Sequence, residues 1–169
     1  MPQAEPIGAR VPPDSSVSVS AMETLLSTIR AARTYDAPDI ADLCGELGYP
    51  ATRQQIVKRL AAIDGAPDNS VLVAEDDRGH VVAWLQVAIA AQLTEEPCAE
   101  IIGLVVGEAA RSLGLGRRLV EAAEQWARSR GASRIRVRSR QERERAHAFY
   151  ERAGFDRIKQ QAMFGKSLA

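Results

Sequence analysis

The segment Arg111-Ser-Leu-Gly114-Leu-Gly116-Arg-Arg-Leu-Val120 constrains this chain most, because it joins an apolar run, Ile101 to Val106, to an amphipathic stretch. A β-rich run, a glycine-spaced turn and a helical pattern fix the path of the backbone there. Glycines at 114 and 116 place no Cβ between the backbone and an approaching ligand. The N–H groups at a helix start are unpaired and carry the positive end of the dipole. Such a turn can hold a phosphate.

Gly-x-Gly alone says little, since at ~7% glycine it arises about once by chance in a chain of this length. An ordinary tight strand-to-helix connection would use the same residues. Two nucleotide patterns do fail. No Gly-Lys-Ser/Thr follows the glycines as a P-loop requires, although Gly165-Lys166-Ser167 occurs alone near the C-terminus. Leu119 stands where a dinucleotide fingerprint needs a third glycine or alanine.

Met1 to about Ser27 is rich in Pro, Ser and small residues and reads as a flexible leader, leaving residues 28–169 as one domain. Thr28 to Ala32 fits a first strand. Asp36 is placed to cap a helix with Pro38 in its first turn, striped by Ile40, Leu43 and Leu47 and ended at Gly48. Thr52-Arg-Gln-Gln55 fits the capping box of a second helix, which carries Ile56, Leu60 and Ile63 and stops at Asp64-Gly65. Val71–Glu75 and Val81–Ile89 read as a hairpin through Asp76–His80, with His80 a turn residue. A polar interval, Gln92 to Pro97, leads to a strand at 99–106. After the glycine turn, Leu115, Leu119, Ala122 and Trp126 mark one face of a long helix closed by Gly131. Ser133–Ser139 alternates Ile135 and Val137 with arginines, so strand, helix and strand make a parallel crossover. Ala146, Phe149 and Ala153 mark a last helix, and Phe155 to Leu168 leaves room for two short strands.

The longest apolar runs fall well short of the ~20 residues of a membrane span, and the N-terminus lacks a basic-then-apolar signal, so the expectation is a cytoplasmic protein with no membrane partner. Cys44 and Cys98 are the only cysteines and lack C-x-x-C spacing, which supports neither a disulfide framework nor a metal site. Net charge is zero but polarised. Residues 1–110 carry 7 basic and 16 acidic side chains, and residues 111–169 carry 15 basic and 6 acidic. The basic half could signal nucleic acid, yet its arginines lack interleaved aromatics, and Arg134, Arg136, Arg138 and Arg140 alternate as one face of a strand. A ligand-facing or solvated sheet surface fits better than nucleic acid.

Strand, then [Q/R]-x-x-G-x-G/A, then helix resembles the coenzyme A pyrophosphate motif of the GNAT N-acetyltransferases, carried here by Arg111, Gly114 and Gly116. Ala146-His-Ala-Phe149-Tyr150-Glu-Arg-Ala-Gly154-Phe155 resembles the A-x-x-F-Y-x-x-x-G-F segment that closes the same fold. The two are in the family's order, and the resemblance spans roughly residues 28–169. It implies an α/β fold with a mixed central sheet of about six to seven strands flanked by about four helices. The strands on either side of the cofactor helix would run parallel and splay apart.

The resemblance further implies acetyl-CoA as donor and direct transfer of its acetyl group to a primary amine of a small molecule or peptide. Arg111, Ser112, Leu113, Gly114, Leu115, Gly116, Arg117 and Arg118 would cradle the pyrophosphate, Leu104, Val105 and Val106 would pair with the pantetheine arm, and Phe149 would lie beside it. Tyr150 would protonate the leaving thiolate, and Glu100 would be the general base. Where close relatives often carry an Asn that bonds pantetheine just after the second parallel strand, this chain has Ser139-Arg140-Gln141, so either Arg140 or Gln141 takes another role or that contact is missing. Acceptor-lining candidates are Gly48–Thr52, the strand with Trp84 and Gln86, and the interval 92–98, where Glu95 and Glu96 suggest a cationic acceptor such as an aminoglycoside, polyamine or basic peptide. Leu47-Gly-Tyr-Pro50 with the Ala-His-x-Phe-Tyr segment resembles bacterial aminoglycoside-type members. A homodimer is a further possibility that the resemblance raises. A non-catalytic acetyl-CoA sensor or docking module is the competing reading, since fold alone does not fix activity.

Overall fold

A computed structural model describes residues 28–168. The proposed leader lies outside them. β1 (Ile29–Ala31), α1 (Ala37–Glu46), α2 (Arg53–Asp64), β2 (Asn69–Glu75), β3 (Val81–Gln92), β4 (Glu95–Val106), α3 (Leu115–Ser129), β5 (Ile135–Val137) and α4 (Glu144–Arg152) follow in that order, with single 3-10 turns at Thr34–Asp36 and Glu108–Ala110. The sheet runs β1-β2-β3-β4-β5, antiparallel except for the β4–β5 pair.

Alternation along the strands sorts the core into two layers. Ile40, Leu43, Ile56 and Leu60 of α1 and α2 pack on Val71, Val73 and Val105. On the other face Leu115, Leu119, Val120, Ala123 and Ala127 of α3 pack on Leu72, Ala74, Leu85, Val87 and Ile101. Leu85, Leu115 and Leu119 are fully enclosed, each contributing about 1.5–3 kcal/mol by burial. The stripe of α3 is rotated from the expected one. Val120, Ala123 and Ala127 are buried, whereas Ala122 is only partly so and Trp126 sits at the margin beneath the Arg130 guanidinium.

One irregularity in β4 sets up everything at the C-terminal end of the sheet. The β3–β4 ladder steps from Val87↔Ile101 to Gln86↔Gly103, so Ile102 is an unpaired bulge, 55% exposed. A one-residue insertion flips the side-chain alternation. Ala99 and Ile101 therefore face α3, while beyond the bulge it is Leu104 and Val106 that face α3 and Val105 that faces α1 and α2. Gly103 lies under Trp84, whose ring stands where a Cβ would meet it at 3.0 Å.

Several expectations are corrected. The interval from Gln92 to Pro97 is the tip of a β3–β4 hairpin, with Gln92 opposite Glu95 and only Leu93-Thr94 between them. β5 holds three residues instead of seven, because β4 bulges away from it after Ile101. Five strands are present among the described residues, not six or seven. No strand forms from Phe155 to Leu168, where Ile158, Met163, Phe164 and Leu168 project outward with no apolar layer to pack on.

Asp36 does not cap α1 through its side chain. Its buried carboxylate accepts from Arg30 Nη1 at 2.8 Å and Nη2 at 2.9 Å and from the Arg33 N–H at 2.7 Å, and Arg30 also donates to Glu75 at 2.6 Å. This ties β1, α1 and β2 together. Burial alone would raise the Asp36 carboxyl, but the Arg30 guanidinium and the Arg33 N–H outweigh it and hold the group below the usual carboxylate range. A lowered folded value means that its stabilisation is present above the ordinary carboxylate pKa of about 3.9 and is lost as pH falls through the folded value. Asp36→Asn should cost about 3 kcal/mol at pH 7 in urea unfolding, with a smaller loss of stability on acidification than the parent chain shows.

Candidate active site

The site is a fork in the sheet. β5 pairs with β4 only at Ala99↔Ile135, Glu100↔Arg136 and Ile101↔Val137, and past the bulge the two strands part. The β4 edge at Leu104, Val105 and Val106 then has no strand beside it on that side among the described residues. Its peptide groups are available to an extended ligand, as a new strand would use them.

At the head of the fork the backbone forms a concave turn. Ser112 has φ +68° and Gly114 φ +77°, so two left-handed residues flank Leu113 just before α3 begins. A left-handed non-glycine residue is strained, and strain of this kind persists where surrounding structure demands it. Gly114 is the helix N-cap without a side-chain cap, which leaves the first N–H groups of α3 facing outward. The two glycines serve different ends. Gly114 supplies the left-handed turn, whereas at Gly116 a Cβ would meet the Phe149 ring at 3.2 Å and Val106 Cγ2 at 3.6 Å. Gly116 thus lets α3, the end of β4 and α4 converge.

A residue the sequence did not single out braces this turn. Glu46, at the end of α1, accepts from the Glu108 N–H at 2.9 Å and from Arg111 Nη2 at 3.3 Å, while Arg111 Nε donates to the Val106 carbonyl at 3.2 Å. Arg117 is paired with Glu121 one turn on, at 3.0 Å. The exposed Leu113 tops the loop.

Tyr150 follows Phe149 on α4. Its ring lies edge-on between Phe149, with centroids 5.1 Å apart, and Phe155, at 5.6 Å. Burial pushes the phenol above its ordinary value, only partly offset by the Arg143 charge. It is therefore protonated near neutral pH and able to donate.

Glu100 is 87% enclosed by its surroundings: its side chain is 13% exposed and held by two arginines. Arg136 Nε donates to Oε2 at 2.9 Å and Arg138 Nη2 to the same oxygen at 3.3 Å, with Arg138 Nε 3.2 Å from Oε1. Glu95 is likewise taken, by Arg136 at 3.4 Å and Arg134 at 3.6 Å. Glu95 of the acidic hairpin tip is thus compensated, while its neighbour Glu96 is exposed. Trp84 Nε1 is buried without a hydrogen-bond partner among the described residues.

Arg140 reaches across to the α1–α2 loop. Its Nη2 donates to the Tyr49 hydroxyl at 2.7 Å, and its guanidinium lies 5.5 Å from the Tyr49 ring centroid. His147 Nε2 is 2.9 Å from the Arg140 carbonyl, and Arg143 donates to the Leu47 carbonyl at 3.1 Å. His147 is a structural brace here. Neither Glu46 nor the Tyr49–Arg140 contact had a local sequence signal, and of the alternating arginines expected on one face of a strand only Arg136 lies in β5.

This chain belongs to the acetyltransferase (GNAT) family, whose pattern it matches over residues 34–155. It is 36% identical over 96 residues to the mycothiol acetyltransferase of Beutenbergia cavernae, a match covering 56% of this chain but only 30% of that longer protein. Among solved structures it is similar to a putative acetyltransferase from Agrobacterium tumefaciens, with TM-score 0.74, 28% identity, and 82% of this chain and 99% of the other covered. AAC(6')-Iy in complex with the bisubstrate analogue CoA-S-monomethyl-acetylneamine has the same fold, with TM-score 0.73 at 16% identity over 83% of this chain and 98% of that one. No helix among the described residues is long and apolar enough to cross a membrane.

Gly114→Ala would force an L side chain into φ +77°, at a cost of about 1–2 kcal/mol. Scanning calorimetry should show the thermal midpoint lowered by a few degrees.

Proposed function

We propose that this protein is an acetyl-CoA-dependent N-acetyltransferase acting on a primary amine of a small molecule or peptide. The observation that carries the reading is the convergence of three features: the N–H-lined turn from Ser112 to Leu115, the unpaired edge of β4, and Tyr150 beside Phe149. The chain fits the donor well. Arg111 to Arg118 would hold the pyrophosphate through N–H groups and positive charge, and Leu104, Val105 and Val106 would pair with the pantetheine amides. The donor supplies an activated thioester.

In the transfer one ammonium proton first passes to solvent, the freed amine nitrogen bonds to the acetyl carbon, the carbon–sulfur bond breaks as Tyr150 protonates the departing thiolate, and the second nitrogen proton, released as the amide forms, restores the Tyr150 phenol. Glu100 serves as base by way of a water. Its Oε2 is occupied by Arg136 and Arg138, and its Oε1, 3.2 Å from Arg138 Nε, keeps a second lone pair able to accept from water. The edge of β4 beyond the Ile102 bulge offers an N–H to the developing oxyanion. No cysteine takes part, since Cys44 and Cys98 are both buried. The relationship to the mycothiol acetyltransferase supports acetyl transfer as the reaction.

Engagement of Glu100 by two arginines is also what a binding-only module would show, and activity separates the two. Thiol release should be seen with at least one primary amine; tight acetyl-CoA binding without any turnover would reject the enzyme. Tyr150→Phe should lower kcat about 100-fold while leaving acetyl-CoA affinity within about twofold. The raised phenol also places the alkaline limb of kcat above the ordinary tyrosine value of about 10 in the parent chain, and this limb should be missing in the Phe variant.

A further inference from the structure

The segment through β5 sets an arginine at every second position, and the structure lets their charges be followed one by one. Arg134 and Arg136 share Glu95, and Arg136 and Arg138 share Glu100. Two carboxylates thus face three guanidiniums before Arg140 is reached. Arg136 Nη2 remains buried with no acceptor among the described residues, a donor left over even within that cluster. Arg140, next in the row, has no carboxylate within ion-pairing distance among the described residues.

Arg140 is nevertheless immobilised. Tyr49 accepts its Nη2 proton and underlies its plane, while His147 holds its carbonyl. These contacts fix the side chain without neutralising it, so its rotamer entropy is spent in folding and the rest of the planar donor fork faces outward. A fixed, uncompensated guanidinium beside a cluster with surplus donors is suited to a carboxylate or phosphate, which takes two parallel N–H bonds. Arg143, joined to the Leu47 carbonyl on the same loop, adds positive charge.

We infer that the acceptor is an amine carrying an oxyanion, and that Arg140, positioned by Tyr49, binds that oxyanion and so selects the substrate. The inference rests on the acetyl-transfer reading above but concerns the acceptor side only. Both carboxylate and phosphate share the required chemistry, and matched acceptors distinguish them: β-alanine against propylamine, and 2-aminoethyl phosphate against ethanolamine, with spermidine as the polycation.

At saturating acetyl-CoA, thiol release should show kcat/KM at least about tenfold higher for one oxyanion-bearing amine than for its matched neutral-tailed amine. Arg140→Ala should reduce that preference to within about threefold while leaving KM for acetyl-CoA within about twofold and the thermal midpoint unchanged. Tyr49→Phe, which keeps the ring and loses the hydroxyl, should give an intermediate preference. Equal or better use of propylamine, ethanolamine or spermidine by the parent chain would overturn the inference, as would an Arg140→Ala variant that raises KM for acetyl-CoA and leaves the preference intact. If no amine releases thiol, the acetyl-transfer reading falls by itself. Calorimetry of β-alanine and 2-aminoethyl phosphate in the presence of coenzyme A then still decides: binding that disappears in Arg140→Ala upholds the anion site, and binding that persists rejects it.

Discussion

The short parallel contact between β4 and β5 is the constraint on which the rest of the site depends. Three residue pairs make a weak ladder, and parallel pairing is slightly less stable per residue than antiparallel. What holds it is its position. Ile101, Ile135 and Val137 turn into the layer beneath α3, while on the opposite face Glu100 is pinned to Arg136 directly across the ladder and to Arg138 two residues on. The strands are fastened just before they diverge, and the bulge at Ile102 makes the divergence sharp. A longer β5 would pair with Leu104 to Val106 and close that edge.

The two faces of the sheet divide the work. Helix α3 lies on one face and carries the N–H-lined turn at its start, brought close to α4 by the absence of a side chain at Gly116. Helices α1 and α2 lie on the other and send Tyr49 and Leu47 toward the segment after β5. The turn before α3 and the Tyr49–Arg140 contact therefore sit on opposite layers, joined through the sheet and by Glu46 of α1, which reaches Arg111.

Features with local causes were legible in the sequence. The Thr52–Gln55 box forms as its spacing requires, with both reciprocal bonds made, and glycines 48, 131 and 154 each close a helix in a left-handed conformation. The glycine turn and the parallel crossover were likewise readable, because a strand, a turn and a helix in immediate succession leave little freedom. The bulge at Ile102 was not. Nothing in Ile-Ile-Gly-Leu marks which residue will lack a partner, since that is decided by the register imposed from β3. Pro97 and the acidic pair before it suggested a loop, yet hairpin pairing at Gln92 and Glu95 draws them into β4. Glu46 and the Tyr49–Arg140 clasp join residues more than sixty positions apart, which periodicity cannot report. Phe155 to Leu168 left room for two short strands, but a strand needs a neighbour to pair with, and none forms there.

Glu46 has a kinetic meaning as well as a geometric one. By holding the Glu108 N–H and the Arg111 side chain from the end of α1, it shapes the loop ahead of α3 within the folded chain itself. A loop ordered during folding imposes little ordering cost when a ligand arrives, so association can proceed at the rate of encounter instead of waiting for a rare loop conformation. The first helix of the domain, remote in sequence from the glycine turn, in this way presets the shape of the loop that leads into it.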